Sequence, residues 1–352
     1  MYSSLPFSLS FLSLMAFGTL FSISSSYWLG IWAGLEINLI GFLPLLVYQK
    51  TMSESESAVK YFIIQAMGSS LLMFGSLLIY SLFFTWEVFD YMDKWVIGFM
   101  IISMGLMMKM GVFPFYFWLP SVMAGLSWFS CLLLATWQKV APLFLMVSFL
   151  DGGLVYWTVI LFCLLSVGSS FVGGFGGMNQ TQLRALVAYS SIGHLGWMLF
   201  AILHSSWAMK VYLSIYILIS FCIFMGLWYS NLSAVKTLNS SLSNTLSMSS
   251  IMIMFLSLGG LPPMLGFISK WIVISSGTAL TLWGFLMLLV LGSVMSLFYY
   301  LSLIFSLFLS SFKNKKAINK IFFKAAPVVV FGLFLNIFGG VLLFFGDFLW
   351  MY

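Results

Sequence analysis

Five ionisable residues of this chain lie inside long apolar stretches. They are Glu36, Lys109, Lys139, His194 and Lys270. A charged side chain at the centre of a bilayer costs at least ~2.5–3.5 kcal/mol, so four such Glu and Lys residues in one chain indicate a function that needs them. The alternative is that each charge reaches a membrane interface along its aliphatic stem, and Lys270 has the position that best allows this.

Buried groups of this kind can exchange protons. Burial penalises the charged form of a side chain, and a nearby opposite charge restores it. A buried lysine therefore gains or loses a proton when a neighbouring carboxylate moves or is neutralised, as a proton relay requires. His194 suits such a relay because imidazole titrates near neutral pH, although a histidine held by hydrogen bonds in a helical bundle is an equally simple interpretation.

Glycine and proline interrupt two of the apolar stretches, each next to a lysine. The first reads KMGVFP from Lys109, and the second reads SLGGLPPMLGFISK and ends at Lys270. Proline removes a backbone donor and clashes with the preceding turn, and backbone groups freed at membrane depth must line protein or a water cavity. Two such breaks in corresponding places predict inverted repeats with a transport site between them. A kink made only for packing is the alternative.

The composition predicts an all-α polytopic membrane protein. Of 352 residues, 62% are hydrophobic and 6% are charged, against roughly 45–50% and about 25% in soluble domains. So few charges exclude a soluble globular protein and a disordered chain. The continuous apolar runs argue against a β-barrel, whose strands alternate apolar and polar residues. The basic residues are scattered and do not predict nucleic-acid binding.

We predict about eleven transmembrane helices in a single membrane domain, 1–352. A span needs about 20 apolar residues, and the polar clusters divide the chain accordingly. The predicted spans are 5–26, 27–49, 58–84, 95–121, 125–147, 153–175, 183–203, 208–230, 244–275, 277–310 and 325–347. The approximate inverted repeats are 27–175 and 183–310, followed by a final helix at 325–347.

The loop charges predict the orientation of the chain. One set of alternate loops carries nine basic residues: Lys50, Lys60, Arg184, Lys236, Lys313, Lys315, Lys316, Lys320 and Lys324. The opposite face carries only Lys94 and Lys210. By the positive-inside rule the N-terminus lies inside and the C-terminus outside.

Other motifs give no sign of a cofactor. The GGFGG stretch at Gly173–Gly177 is expected to lie in a loop and does not follow a strand, so it is no dinucleotide fingerprint. Cys131, Cys163 and Cys222 lack the spacing of a zinc or iron–sulfur site, and we expect them to be buried packing residues. No phosphate-binding loop, haem ligand set or nucleophile triad is present in the sequence, and no metal site is predicted.

Several segments together resemble the family of the second mitochondrially encoded subunit of the proton-pumping NADH:ubiquinone oxidoreductase, complex I. The resemblance covers nearly the whole chain. It is carried by GLEINLIGFLPLL from Gly34, SAVKYFIIQAMGS from Ser57, KMGVFPFYFWLP from Lys109, GLSW from Gly125, TWQKVAP from Thr136, GGMNQTQLRALVAYSSIGHLGWM from Gly176 and LSLGGLPPMLGFISKW from Leu256. Together these segments are highly specific, although each alone is weak.

The resemblance implies an antiporter-like fold with two inverted repeats, each containing a broken helix, in a shortened form of eleven helices. It also implies roles in proton translocation. Glu36 matches the family's membrane glutamate, Lys109 and Lys270 match the lysines of the first and second broken helices, Lys139 matches the connecting lysine, and His194 matches a histidine on the path between them.

Two positions depart from the family's pattern. Tyr116 stands where the family often has histidine, and Ser121 where it often has glutamate. A proton path through either position is therefore in doubt in this chain.

The resemblance implies a proton-translocating, non-redox subunit of the complex I membrane arm, in the mitochondrial inner membrane, with its N-terminus on the matrix side and its C-terminus on the intermembrane-space side. NADH, FMN, iron–sulfur clusters and ubiquinone would be used elsewhere in the complex, and none would be bound by this chain. The expected partners are other membrane-arm subunits and membrane lipids such as cardiolipin. The alternatives are a subunit of a cation/proton antiporter and a purely structural membrane-arm subunit.

Overall fold

The computed structural model of the protein describes residues 7–48, 51–87, 96–151, 156–230, 245–278, 282–313 and 332–341. These residues are almost entirely helical. The helices are α1 (Ser8–Ser24), α2 (Trp28–Leu46), α3 (Met52–Phe83), α4 (Val96–Met110), α5 (Trp118–Gly125), α6 (Trp128–Ala135), α7 (Trp137–Asp151), α8 (Tyr156–Met178), α9 (Leu183–His204), α10 (Ser206–Ser230), α11 (Thr245–Gly259), α12 (Leu265–Thr278), α13 (Trp283–Lys313) and α14 (Gly332–Val341). Among the described residues, the sole β pairing is an isolated bridge between Tyr27 and Glu87.

Many of the helices have the lengths of membrane spans. By length and composition, seven spans of the described residues can each cross a membrane, and four shorter apolar helices accompany them. Each of the eleven predicted spans coincides with at least one of these helices, so the all-α polytopic architecture is confirmed. The residue boundaries differ by a few positions. The repeat boundaries at 27–175 and 183–310 stay a prediction.

Two of the predicted spans are interrupted by irregular segments. The 15 residues of α4 make a rod about 22 Å long, against a hydrocarbon core of ~30 Å. After its last residue, Met110, the chain is irregular until α5 begins at Trp118. In the same way α11 ends at Gly259 and α12 begins at Leu265. Both predicted broken helices are therefore present.

The predicted span 125–147 coincides with the apolar span Trp128–Leu150, within which the helix is divided at Thr136 into α6 and α7. One sequence expectation about an element was wrong. The GGFGG stretch at Gly173–Gly177 is not a loop, because it forms the last turns of α8. In a membrane bundle, small residues let helix backbones approach closely, and this gain outweighs the low helix propensity of glycine.

The chain divides into two compact units, Met1–Leu161 and Phe162–Tyr352. In the first unit α1 and α2 pack backbone to backbone. A Cβ placed on Gly18 would come within 2.5 Å of the Asn38 nitrogen, and one placed on Gly34 within 2.6 Å of the Ser22 nitrogen. This close contact holds α2, which carries Glu36, firmly against its neighbour.

In the second unit α9 is the central helix. It is the most enclosed of the long apolar helices, with 89% of its most apolar window buried. Gly173 of α8 and Gly193 of α9 allow these two helices to approach closely, and α10, α12 and α13 pack on other sides of α9. A side chain on α9 therefore faces protein and not lipid.

Candidate functional site

In the first unit, Lys109 lies on the last turn of α4, directly before the break. The helix ends at Gly111, whose φ of 76° lies in the left-handed region that glycine adopts without strain. Two side chains satisfy carbonyls of the last turn. Gln65 Nε2 donates to the Lys109 carbonyl at 3.2 Å, and Trp118 Nε1 donates to the Met108 carbonyl at 3.2 Å. The break is thus an ordered structure and places a lysine that is 5% exposed.

Glu36 of α2 lies close enough to interact electrostatically with Lys109 and with the Tyr61 hydroxyl. No ion pair of 4.0 Å or less joins Glu36 to Lys109; the pair that meets this criterion among the described residues is Lys60–Glu56. The Oε1 atom of Glu36 is buried and accepts no hydrogen bond from the described part of the protein. The arrangement is that of two opposite charges near each other but separated.

Lys139 is the most deeply buried of the three predicted site lysines, at 1% exposure. The preceding residue, Gln138, forms a reciprocal amide pair with Asn38. Asn38 Nδ2 donates to Gln138 Oε1 at 2.8 Å, and Gln138 Nε2 donates to Asn38 Oδ1 at 3.2 Å. The pair joins α2, two residues after Glu36, to α7, one residue before Lys139. It therefore fixes the two charged positions relative to each other.

The division between α6 and α7 lies directly before Lys139. The Thr136 hydroxyl donates to the Leu132 carbonyl at 2.7 Å, and the Lys139 amide donates to the Thr136 carbonyl at 3.3 Å. One turn later Pro142, inside α7, has no amide to donate and crowds the preceding turn. The helix is thus irregular on both sides of Lys139.

In the second unit, Lys270 lies on α12 and its side chain returns to the break. Its Nζ donates to the Gly259 carbonyl, at the end of α11, at 2.8 Å. Gly260 follows with φ of 81°, and a Cβ on it would lie 2.8 Å from the Lys270 ammonium. A cation at a helix C-terminus is favourable because the exposed carbonyls carry partial negative charge. Lys270 therefore stabilises the end of α11.

His194, near the middle of α9, is 9% exposed. Its Nδ1 and the Tyr212 hydroxyl of α10 are hydrogen-bonded at 2.8 Å. The Tyr212 hydroxyl also reaches Ser269 of α12, the residue before Lys270, and the Tyr216 ring lies 5.2 Å from the imidazole. The alternative interpretation from the sequence, a histidine held by hydrogen bonds in a helical bundle, thus describes this contact correctly. The same tyrosine also reaches the residue next to Lys270.

His194 and Lys270 line one small polar cavity inside the second unit, with a volume of about 10 Å³, which is close to the space that a single water molecule needs. Its other lining residues are Ser170, Ser190, Gly193, Trp197, Gly292, Ser293, Ser296, Tyr299 and Tyr300. A cavity with several hydroxyl groups in its wall suits ordered water. The residues of two predicted stations of the proton path therefore meet at one site.

The structure distributes the five predicted residues over the two units. Glu36, Lys109 and Lys139 belong to the first, and His194 and Lys270 belong to the second. The two departures from the family pattern lie near the first break. Tyr116 is half-buried, and Ser121 is exposed on α5, where its hydroxyl donates to a carbonyl of its own helix.

Sequence reasoning missed the polar residues that surround these groups. The Asn38–Gln138 pair and the tyrosines of the second unit are neither charged nor part of a motif. One signal was available, because each of Asn38 and Gln138 lies within two residues of a predicted charge in an apolar run. A second signal was the adjacent pair of tyrosines in the middle of a span, Tyr299 and Tyr300.

The described residues contain no cluster of three or more His, Cys, Asp or Glu side chains placed to hold a metal ion. Cys131, Cys163 and Cys222 are buried and form no disulfide, as the sequence predicted. They lie among apolar side chains and serve packing.

Comparison with known proteins gives a consistent result. Residues 25–296 match the family described as NADH:quinone oxidoreductase/Mrp antiporter, transmembrane. The NADH-ubiquinone oxidoreductase chain 2 of Anopheles gambiae is 39% identical over 311 residues, covering 86% of each chain. The protein of the same name from Locusta migratoria is 41% identical over 297 residues, covering 84% of each chain.

Solved structures share the fold. A chain of respiratory complex I from Thermus thermophilus, solved with bound aureothin, superposes with a TM-score of 0.82 at 24% identity, covering 95% of this chain and 78% of that one. A chain of the Mrp complex from Dietzia superposes with a TM-score of 0.73 at 15% identity, covering 83% of this chain and 59% of that one. At these identities the likeness concerns the fold alone.

Proposed function

Because the chain belongs to the family of NADH-ubiquinone oxidoreductase chain 2, we propose that it translocates protons as a non-redox subunit of the complex I membrane arm. Quinone reduction elsewhere in the complex supplies the driving force. The observation that carries the proposal is the enclosure of three lysines, Lys109, Lys139 and Lys270, beside irregular helix segments. A lysine held away from lipid and bulk water can change its protonation state when a neighbouring charge moves.

In the first unit, Glu36 and Lys109 act as an opposite-charge pair that closes and opens during the cycle. The separated arrangement, with an unpaired Glu36 oxygen, corresponds to the open state. When the two groups approach, each stabilises the charged form of the other. When they part, Lys109 releases its proton more readily, and Lys139 is the next buried group in the same unit.

In the second unit, His194 and Lys270 exchange a proton through their common cavity. His194 accepts a proton on its ring and returns to the neutral form when Lys270 takes one up. Lys270 has a further constraint, since its ammonium holds the end of α11 at the Gly259 carbonyl. Loss of the charge from Lys270 weakens that contact, so its protonation state and the position of the break are coupled.

The chain works without a cofactor of its own. NADH, FMN, the iron–sulfur clusters and ubiquinone are used elsewhere in the complex. Its partners are the other membrane-arm subunits, and its apolar outer helix faces suit membrane lipids such as cardiolipin. Nucleic acid is no partner of this chain.

The chain is a multi-pass protein of the mitochondrial inner membrane, with its N-terminus in the matrix and its C-terminus in the intermembrane space. The nine basic residues of one set of loops support this orientation. Most of the basic cluster at Lys313–Lys324 and the whole C-terminal segment after Val341 lie outside the described residues. A cysteine introduced at residue 316 should be labelled in mitoplasts only after permeabilisation, and labelling from the outer face would contradict the orientation.

Glu36→Gln and Lys109→Met test the function. Each variant removes one partner of the proposed pair, so each should slow quinone reduction coupled to proton pumping. NADH oxidation by artificial acceptors should stay normal, because no redox group is touched. The measurements are proton uptake per NADH oxidised in reconstituted vesicles and assembly on native gels.

The same measurements separate the alternatives. Normal pumping and normal quinone turnover in both assembled variants would leave a purely structural subunit as the explanation. A stand-alone antiporter role requires cation-dependent proton exchange by the isolated chain in vesicles. The complex I role requires that exchange occur only when quinone is reduced by the assembled complex.

A further inference from the structure

Two tyrosine hydroxyls in the wall of the second unit's cavity form no hydrogen bond of good geometry in the described protein, although they lie near each other and one of them, that of Tyr300, also lies near the Ser190 hydroxyl. They belong to Tyr299 and Tyr300 of α13, which are 2% and 1% exposed. Their rings lie 4.6 Å apart between centroids. Both residues line the cavity together with His194, Lys270 and Ser190. Neither the family resemblance nor the proposed function assigns them a role.

The GGFGG stretch of α8 makes room for these tyrosines. A Cβ on Gly177 would lie 2.6 Å from the Tyr299 ring, and a Cβ on Gly174 would lie 3.0 Å from the Gly292 carbonyl of α13. Close approach of α8 and α13 therefore depends on glycine at both positions. Because the two glycines allow this approach, the Tyr299 ring can lie in the interior of the unit.

Tyr300 is placed against the second break. A Cβ on Gly259 would lie 3.5 Å from the Tyr300 ring, which is ordinary van der Waals contact. The carbonyl of the same Gly259 accepts the hydrogen bond of the Lys270 ammonium. The tyrosine is thus a close neighbour of the groups that hold Lys270.

Burying a hydroxyl without a partner is unfavourable, and buried polar groups are almost always hydrogen-bonded to protein or to ordered water. A buried water needs two to four polar partners and enough space. The cavity offers the partners, since the two tyrosine hydroxyls, Ser190, His194 and Lys270 are all in its wall, and its volume of about 10 Å³ is close to that required by one water. Ordered water in this position would satisfy the hydroxyls and reach both ionisable groups.

We propose that Tyr299 and Tyr300 form a water-binding site that connects His194 with Lys270. This inference rests on the proposed function of the chain. The tyrosines are positioning residues, because they hold the water and do not themselves change charge. The imidazolium of His194 gives a proton to the oxygen of the bound water, and that water gives a different proton to the neutral amine of Lys270. One proton moves in total, and the water and both phenols end unchanged.

The test uses the assembled complex with the full chain. Tyr299→Phe and Tyr300→Phe, singly and together, remove only the hydroxyls and keep the rings that fill the site. Tyr229→Phe is the matched control, because Tyr229 is half exposed near the end of α10. Lys270→Met is measured in parallel. The readouts are native-gel assembly, NADH oxidation with artificial acceptors, coupled quinone reduction with proton uptake, and water density in high-resolution maps of the complex.

The double variant should lose coupled turnover about tenfold or more, in line with the loss of a positioned proton carrier. Its artificial-acceptor activity and the control variant should remain normal. Maps of the unmodified complex should show a water about 2.8 Å from a tyrosine hydroxyl, and maps of the double variant should lack it. A merely structural role of the hydroxyls would not remove the water together with the coupling.

Each failure has its own meaning. Full coupling in the double variant while Lys270→Met is impaired would overturn the water site and leave the proposed function intact. Full coupling in Lys270→Met would overturn the proposed function itself. If the double variant fails to assemble, the map of the unmodified complex decides alone, since tyrosine hydroxyls bonded only to protein groups would contradict the site.

Discussion

In the proposed function, Lys270 serves both the fold and the proton transfer. Its ammonium donates to the Gly259 carbonyl at the end of α11 and also lines the cavity that contains His194. The hydrogen bond to the Gly259 carbonyl restrains the lysine, and the cavity places it near His194, with which it would exchange a proton. A charge that both caps a half-helix and exchanges a proton links the shape of the break to the protonation state.

Gly260→Ala tests this arrangement at the residue scale. A φ of 81° costs a non-glycine residue about 1–2 kcal/mol, and the added methyl group would press on the Lys270 ammonium. The variant should assemble less stably and show reduced proton uptake. Heating followed by native gels measures the stability. Gly259→Ala is the matched control, because its methyl group has ordinary contacts, and an equal loss in both variants would contradict the argument.

The candidate residues could be selected from the sequence because the free-energy cost of burying a charged side chain in a membrane depends on the side chain itself. A lysine or glutamate in an apolar span is anomalous wherever it lies, so Glu36, Lys109 and Lys139 could be proposed as candidates without a structure. Their partners could not, since a neutral amide or phenol is ordinary in any helix. Only the tertiary arrangement shows that Gln138 meets Asn38 and that Tyr212 meets His194.

At the scale of elements, a polar contact in the first unit joins α2 to α7. This contact is the reciprocal amide pair of Asn38 and Gln138, whose side chains are both buried. On α2 the pair lies two residues after Glu36, and on α7 it lies one residue before Lys139. Displacement of one helix by the charge state of Glu36 would therefore act on the other.

A double-mutant cycle on this pair tests the connection. Asn38→Leu or Gln138→Leu alone leaves a buried amide without its partner, at about 1–3 kcal/mol. Changing both residues to leucine removes both amides and should be much less harmful than the sum. The loss of stability of each single variant and of the double variant is measured by heating the assembled complex and running native gels. Strictly additive losses would mean that the two amides do not depend on each other.

The elements themselves were predictable to different degrees. The breaks after Lys109 and before Lys270 follow from glycine and proline, whose effect on a helix is local. The division at Thr136 has no such residue and was missed; it becomes clear only when the Thr136 hydroxyl is seen on the Leu132 carbonyl. The helical state of Gly173–Gly177 was predicted wrongly because helix propensity was weighed without the close packing that glycine permits.

At the scale of the whole molecule, the same pattern occurs in each compact unit. The first has a broken helix pair, α4 and α5, with Lys109, and the second has α11 and α12 with Lys270. In both, a glycine with φ near 80° ends the first half-helix, and its amide donates to a carbonyl four residues back in the sequence. This likeness supports the proposed inverted repeats, with one proton-exchanging site in each.

The most direct test of the account is the change Lys139→Arg, compared with Lys139→Met, in the assembled complex. Arginine keeps the positive charge but stays protonated in proteins, so it can supply a static charge and cannot pass a proton on. If Lys139 exchanges protons, both variants should assemble and lose proton uptake per NADH to a similar extent. If an assembled Lys139→Arg complex pumps as well as the unmodified complex in reconstituted vesicles, Lys139 is no proton carrier and the account is contradicted.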